Sequence, residues 1–145
     1  MFSKKTVKDV DVRGKRVLVR VDFNVPLSEG SVTDDTRVRA SLPTLRYLVD
    51  HGARVIVMSH LGRPSGEPDP QFSLRPVRRV LQRLLGRNVV FVDDIIGPEA
   101  HDAVDRMVDG EIIMLENVRF NPGEKANDPE FAKALASLAD IYVND

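Results

Sequence analysis

Five short apolar runs punctuate the chain, at 16–21, 54–58, 88–92, 111–115 and 140–143. β-Branched residues dominate them and strict apolar–polar alternation is lost. Val17-Leu18-Val19-Arg20-Val21 therefore reads as a strand buried on both faces. Between the runs lie segments of helical length, 36–50, 74–85, 98–108 and 129–138. In the second, Val77, Val80, Leu81, Leu84 and Leu85 form an apolar stripe and leave Arg75, Arg78, Arg79 and Arg83 for a solvated face. Such alternation of strand and helix is the signature of crossover units stacked around a parallel sheet. It predicts a doubly wound α/β architecture.

Punctuation at the segment ends agrees with this reading. Asp34, Asp35 and Thr36 offer capping oxygens and negative charge to the first helix. Gly52 and Gly86 suit the left-handed position that closes a helix. Gly97-Pro98 and Asp128-Pro129 open the third and fourth, with proline in the first turn. Pro43 is expected to kink the first helix or to mark a turn before it. Residues 62–71 carry three prolines and two glycines and predict an extended, mobile loop. Pro122-Gly123 predicts a turn within 121–127. The last strand is followed only by Asn144-Asp145, with no covering crossover, so the chain reads as cut and its final strand as exposed.

Composition narrows the class. The chain has 145 residues, 42% hydrophobic and 30% charged, which suits one globular domain without repeats. A net charge of −1 gives no general pull toward nucleic acid or an acidic membrane. The absence of cysteine removes disulfide and thiol chemistry. Met1-Phe2-Ser3-Lys4-Lys5 is not followed by a signal-type apolar region, and no run approaches membrane-spanning length. The cytoplasm is the expected location.

Chemistry gathers after the strands. Asp22 and Asn24 follow the first, Ser59-His60-Leu61-Gly62-Arg63-Pro64 the second, Asp93-Asp94 the third and Glu116-Asn117-Val118-Arg119 the fourth. In a parallel sheet these positions share one edge, where ligands of open α/β sheets bind. Arg37, in the first turn of the first helix, can point to the same side. Guanidinium groups crowded at one crevice repel each other unless an anion sits among them, and they suit phosphate and carboxylate oxygens. The predicted ligand is a small phosphorylated polyhydroxy anion. Each residue alone also has a plainer reading. Asp22 could cap its own loop or pair with Arg20, Arg37 could pair with Asp34 on a wet helix face, and His60 could be a hydrogen-bonded strand-end histidine. His51 and His101 read as structural. Fingerprints for dinucleotide binding, a Walker loop, a His-Glu-x-x-His zinc site and a Gly-x-Ser-x-Gly elbow are all absent.

Four motifs in order resemble the phosphoglycerate kinase family. They are Arg20-Val21-Asp22-Phe23-Asn24-Val25-Pro26, Ser59-His60-Leu61-Gly62-Arg63-Pro64, Leu115-Glu116-Asn117-Val118-Arg119-Phe120 and Ala139-Asp140-Ile141-Tyr142-Val143-Asn144-Asp145. Asp34-Asp35-Thr36-Arg37 is similar as well. The resemblance implies a Rossmann-like N-terminal lobe, incomplete here, that binds 3-phosphoglycerate or 1,3-bisphosphoglycerate. By that resemblance Asp22, Phe23 and Asn24 meet the hydroxyl and carboxylate end. His60, Leu61, Gly62, Arg63 and Arg119 form the phosphate-binding patch, to which Arg20 adds basic surface. Arg37 acts catalytically on the transferring phosphoryl group. Mg-ADP or Mg-ATP would be bound by a C-terminal lobe outside this chain, so no cofactor and no metal is expected here, and the fragment alone is expected to show no turnover. The rival expectation is a non-catalytic anion-binding module or scaffold.

Overall fold

The computed structural model describes residue 8 and residues 10–145; the reading of the N-terminal residues 1–5 lies outside these. Five strands form one parallel sheet: β1 (Arg16–Arg20), β4 (Arg54–Met58), β5 (Val90–Val92), β6 (Ile112–Leu115) and β7 (Ile141–Asn144). Their order is β5-β6-β4-β1-β7, so β1, β4 and β6 are the interior strands. The sheet is flanked by α1 (Thr36–Asp50), α2 (Arg75–Leu85), α3 (Pro98–Asp105), α4 (Pro122–Lys125) and α5 (Pro129–Ala136).

Strand pleat sorts the apolar side chains into two cores. Val17, Val19, Val55, Val57, Ile112 and Met114 pack on one face with Val38, Leu45 and Leu48 of α1 and Val77, Leu81 and Leu85 of α2. Leu18, Ile56, Met58, Ile113 and Leu115 turn to the other, against Ala100 and Val104 of α3 and Phe131 and Leu135 of α5. Because both faces are covered, the interior strands carry no polar alternation, and this is why the sequence shows them as continuous apolar runs. The doubly wound α/β expectation holds.

Most boundaries fall close to those expected. The glycines at the helix ends do what was asked of them: Gly52 (φ 78°) and Gly86 (φ 69°) are left-handed. α3 stops at Asp105, earlier than expected, and β7 runs one residue further, to Asn144. Four details differ in kind. Asp35 holds the N-cap position of α1 without a side-chain capping bond and pairs with Arg39 one turn on, while Asp34 Oδ1 accepts from Thr36 N (2.9 Å) and Thr36 Oγ1 (2.6 Å). Pro43 lies inside α1, so it does not mark a turn before the helix. A hairpin of β2 (Leu27–Ser28) and β3 (Ser31–Val32) fills what read as loop, turning through Glu29 and Gly30, both at positive φ. Residues 122–125, expected as a turn, form α4, capped by the Asn121 side chain accepting from Gly123 N (2.8 Å).

Of the α2 arginines, Arg75, Arg79 and Arg83 are exposed as expected, and only Arg78 is partly buried. Arg75 lies over the Phe91 ring at 4.6 Å and pairs with Asp93 (3.3 Å). Arg78 is half-buried, donates to Gln82 Oε1 (3.3 Å), and its Nε is buried with no partner among the described residues.

Candidate functional site

The parallel register aligns the ends of the three interior strands: Arg20 pairs with Met58, and Val57 with Met114. The loops leaving β1, β4 and β6 therefore start side by side. They are knitted by main-chain and side-chain bonds. Phe23 N donates to the buried Ser59 Oγ (3.0 Å), Val118 N donates to Ser59 O (3.1 Å), and Gly62 N donates to Asn24 Oδ1 (2.9 Å).

Asp22 takes up one of its plainer roles, the loop cap, but its ionic partner is Arg37 and not Arg20. Its Oδ1 accepts from Asn24 N (3.1 Å), closing the loop after β1, and from Arg37 Nη1 (3.2 Å). Arg37 also donates to the Asn24 carbonyl. Its partner is thus Asp22 across the rim rather than Asp34 just before its own helix. The pair is about half exposed, so it contributes orientation more than stability, roughly 0.2–1 kcal/mol. Asn24 presents its side-chain oxygen to Gly62 and so serves the loop as well as the rim.

His60 and Arg119 meet on the other side of this loop. His60 is half-buried, and its pKa is lowered first by burial and then by the cations of Arg119 and Arg20. Arg119 Nη1 reaches the Gly62 carbonyl at 3.5 Å, while its Nε is buried with no partner among the described residues. A cationic side chain held at the rim is suited to an anionic ligand. Arg63 is exposed on the same loop, next to Gly62.

Several expected contributors sit differently. Arg20 is not an open cation: its Nη2 donates to Glu124 Oε1 at 2.8 Å, and that bond raises the Arg20 pKa and lowers that of Glu124. Phe23 (0% exposed) and Leu61 (3%) are core residues with no side-chain surface for a ligand. Gly62, at φ 62°, touches the Phe72 ring so closely that a Cβ there would lie 2.5 Å from Phe72 Cδ1. Asp93 and Asp94 stay beside the end of β6, where Glu116 N donates to Asp94 O (3.1 Å), but their side chains are committed elsewhere: Asp93 pairs with Arg75 (3.3 Å), and Asp94 accepts from Ile95 N (2.8 Å) and Ala100 N (3.0 Å). His51 stacks on Tyr47 at 3.9 Å, with Nδ1 2.7 Å from the Tyr47 carbonyl, and is structural.

Glu124, Ser59 and the buried pair Glu116-Asn117 belong to the neighbourhood although sequence reasoning gave them no role. Glu116 fastens the end of β6 to the start of α2, accepting from Ser73 Oγ (2.7 Å), Leu74 N (2.8 Å) and Asn117 N (2.8 Å). For Glu124 a signal was present: Asn-Pro-x-Glu opens helices as a cap, a first-turn proline and an N3 carboxylate. Among the described residues no group of three or more His, Cys, Asp or Glu could hold a metal ion, and no helix is long and apolar enough to cross a membrane.

Comparison with known proteins identifies relatives for this arrangement. The phosphoglycerate kinase family profile matches residues 7–145. The chain is 58% identical over 144 residues to the phosphoglycerate kinase of Akkermansia muciniphila, covering 99% of this chain and 36% of that protein. The Moorella thermoacetica phosphoglycerate kinase is 59% identical over 144 residues, covering 99% and 37%. The solved phosphoglycerate kinase of Coxiella burnetii superposes with a TM-score of 0.84 at 39% identity, over 96% of this chain and 34% of that one. That of Pyrococcus horikoshii gives 0.84 at 33% identity, over 96% and 36%. The chain thus spans about a third of the length of the curated relatives it matches.

Proposed function

This chain belongs to the phosphoglycerate kinase family, and we propose that its 145 residues supply the acceptor side of that family's phosphoryl transfer. The parent reaction moves the acyl phosphate of 1,3-bisphosphoglycerate to ADP, giving 3-phosphoglycerate and ATP, in the cytoplasm. The β-phosphate oxygen of ADP attacks phosphorus, and the bond to the substrate's carboxylate oxygen breaks. Mg-ADP and Mg-ATP are held by chain outside these residues.

The observation that carries this reading is the convergence of Arg37, His60 and Arg119, from three distant stretches, around the loops that leave β1, β4 and β6. In this assignment His60, Arg63 and Arg119 grip the phosphate of 3-phosphoglycerate, with the Gly62 main chain beside them. Asp22 and Asn24 meet its hydroxyl and carboxylate end. Arg37, oriented by Asp22, faces the carboxylate and offsets charge on the transferring phosphoryl group. Such a role is physically apt because phosphoryl transfer is catalysed mainly by positioning and charge stabilisation. Arg20 contributes through its pair with Glu124 and not as a free cation.

Titration calorimetry with 3-phosphoglycerate tests the reading. The parent chain is expected to bind weakly, and more weakly still as salt is raised, since exposed charge attraction is screened. Arg119→Ala is expected to lose about 1.5–3 kcal/mol, roughly tenfold to a hundredfold in affinity. Arg119→Lys should recover little of it, because an ammonium cannot reproduce the guanidinium fork. Unchanged affinity in Arg119→Ala would remove the assignment.

A further inference from the structure

Asn117 is fully buried, and its side chain bonds to three separate segments at the rim. Its Nδ2 donates to the Leu61 carbonyl (2.8 Å), on the loop leaving β4. The same nitrogen donates to the Phe72 carbonyl (2.9 Å), in the 3₁₀ turn before α2. Its Oδ1 accepts from Arg119 N (3.0 Å), on the loop leaving β6.

We propose that Asn117 is the positioning residue of the anion site: its carboxamide sets the register between the His60–Arg63 loop and the Arg119 turn. The inference rests on the acceptor-site reading above.

Chemistry restricts this place to an amide. Two N–H donors on one atom answer two carbonyls, while the oxygen answers a main-chain N–H. A carboxylate of the same shape has no donor and would face two carbonyl oxygens. An isosteric leucine would leave all three groups buried and unmatched. What Asn117 pins is also consequential. Leu61 and Phe72 flank the contact in which the Phe72 ring lies against Gly62, and Gly62 in turn bonds Asn24 through its N–H and meets Arg119 through its carbonyl. Leu61 sits between His60 and Gly62 in the chain. A shift at Leu61 O would therefore be felt by His60, Gly62 and Arg63 together. Glu116 anchors the arrangement from below by tying Asn117 N to the start of α2.

Asn117 has no surface for a ligand, so it acts only through these groups. General loss of stability must therefore be separated from loss of register. Val104, buried among α3 and the opposite core, provides the control: Val104→Ala weakens the fold without touching the rim. Affinity for 3-phosphoglycerate is measured for the parent, Asn117→Ala and Val104→Ala by nuclear magnetic resonance titration. Asn117→Ala is expected to lose at least tenfold, with the ligand-induced shifts of the Gly62, Arg63 and Arg119 amides largely abolished. Val104→Ala is expected to stay within twofold of the parent. Binding by Asn117→Ala within threefold of the parent would overturn the proposal. Amide exchange in the unmodified chain provides a second arm that needs no variant. The Asn117 carboxamide protons and the Arg119 amide are expected to exchange as slowly as the β4 amides. Exchange at the rate of an open loop would overturn the proposal even if the variant fails to fold. A parent chain that binds no 3-phosphoglycerate would remove the functional reading instead, and the exchange arm would still decide whether Asn117 orders the loops.

Discussion

At the residue scale, His60 reports the electrostatics of the rim. Burial and two neighbouring cations push its pKa below the ordinary 6.5. An anion bound beside it reverses the cation effect and favours the charged ring. Two outcomes follow. The His60 ring resonance should titrate below 6.5 in the free chain and move upward when 3-phosphoglycerate is added. Binding should then take up a proton and strengthen as pH falls toward that value, a dependence flattened in His60→Gln. The consequence for stability has the opposite sense. With the folded value depressed, the unfolded chain takes up its proton first. This contribution is intact above about 6.5 and is lost as pH falls from there toward the folded value. Denaturant unfolding of parent and His60→Gln across pH 5–8 checks it; equal acid sensitivity would refute it. Identity at these positions was readable in the sequence, but partnership was not. The sequence offered Asp34 to Arg37 and Arg20 to Asp22; that Arg37 and Asp22 pair with each other was decided only when the loop after β1 was placed beside the start of α1.

At the element scale, the loop leaving β4 is rigidified by contacts that no propensity encodes. Gly62 is required twice, by its positive φ and by the Phe72 ring. Gly62→Ala should therefore cost about 2–4 kcal/mol, backbone strain and overpacking combined. Replacing Phe72 with alanine in that background should relieve only the steric part; urea unfolding of the single and double variants separates the two. A cost under about 0.5 kcal/mol would mean that the loop yields easily. The same scale explains the elements that went unread. β2 and β3 have two residues each, too few for period-2 alternation to register. Glu29 also occupies a left-handed turn position where asparagine, aspartate or glycine is the usual signal. α4 is four residues long and begins with Pro122-Gly123, a pair whose first association is with turns.

At the scale of the whole molecule, the sheet is covered unevenly. β7 is an edge strand with Tyr142 55% exposed, beside an apolar groove of about 420 Å³ lined by Leu18, Met58, Phe131, Leu135 and Tyr142. Open edges and apolar patches favour association. Sedimentation velocity is expected to show concentration-dependent self-association of this chain, reduced in Tyr142→Lys with 3-phosphoglycerate affinity unchanged. A parent that stays monomeric at high concentration would contradict this.

The chain alone determined the alternation of elements, the burial of its interior strands on both faces and the residue types at the strand exits. All of these follow from local periodicity and from the solvent each face must meet. Its motifs also carried the family. Strand order was decided only in three dimensions, because periodicity says that a strand is buried but not which strand lies beside it. The same holds for the pairing of Arg20 with Glu124, which are 104 positions apart, and for the three bonds of Asn117. A hydrogen bond depends on distances of a few tenths of an ångström between loops, and those distances exist only after the strands have paired.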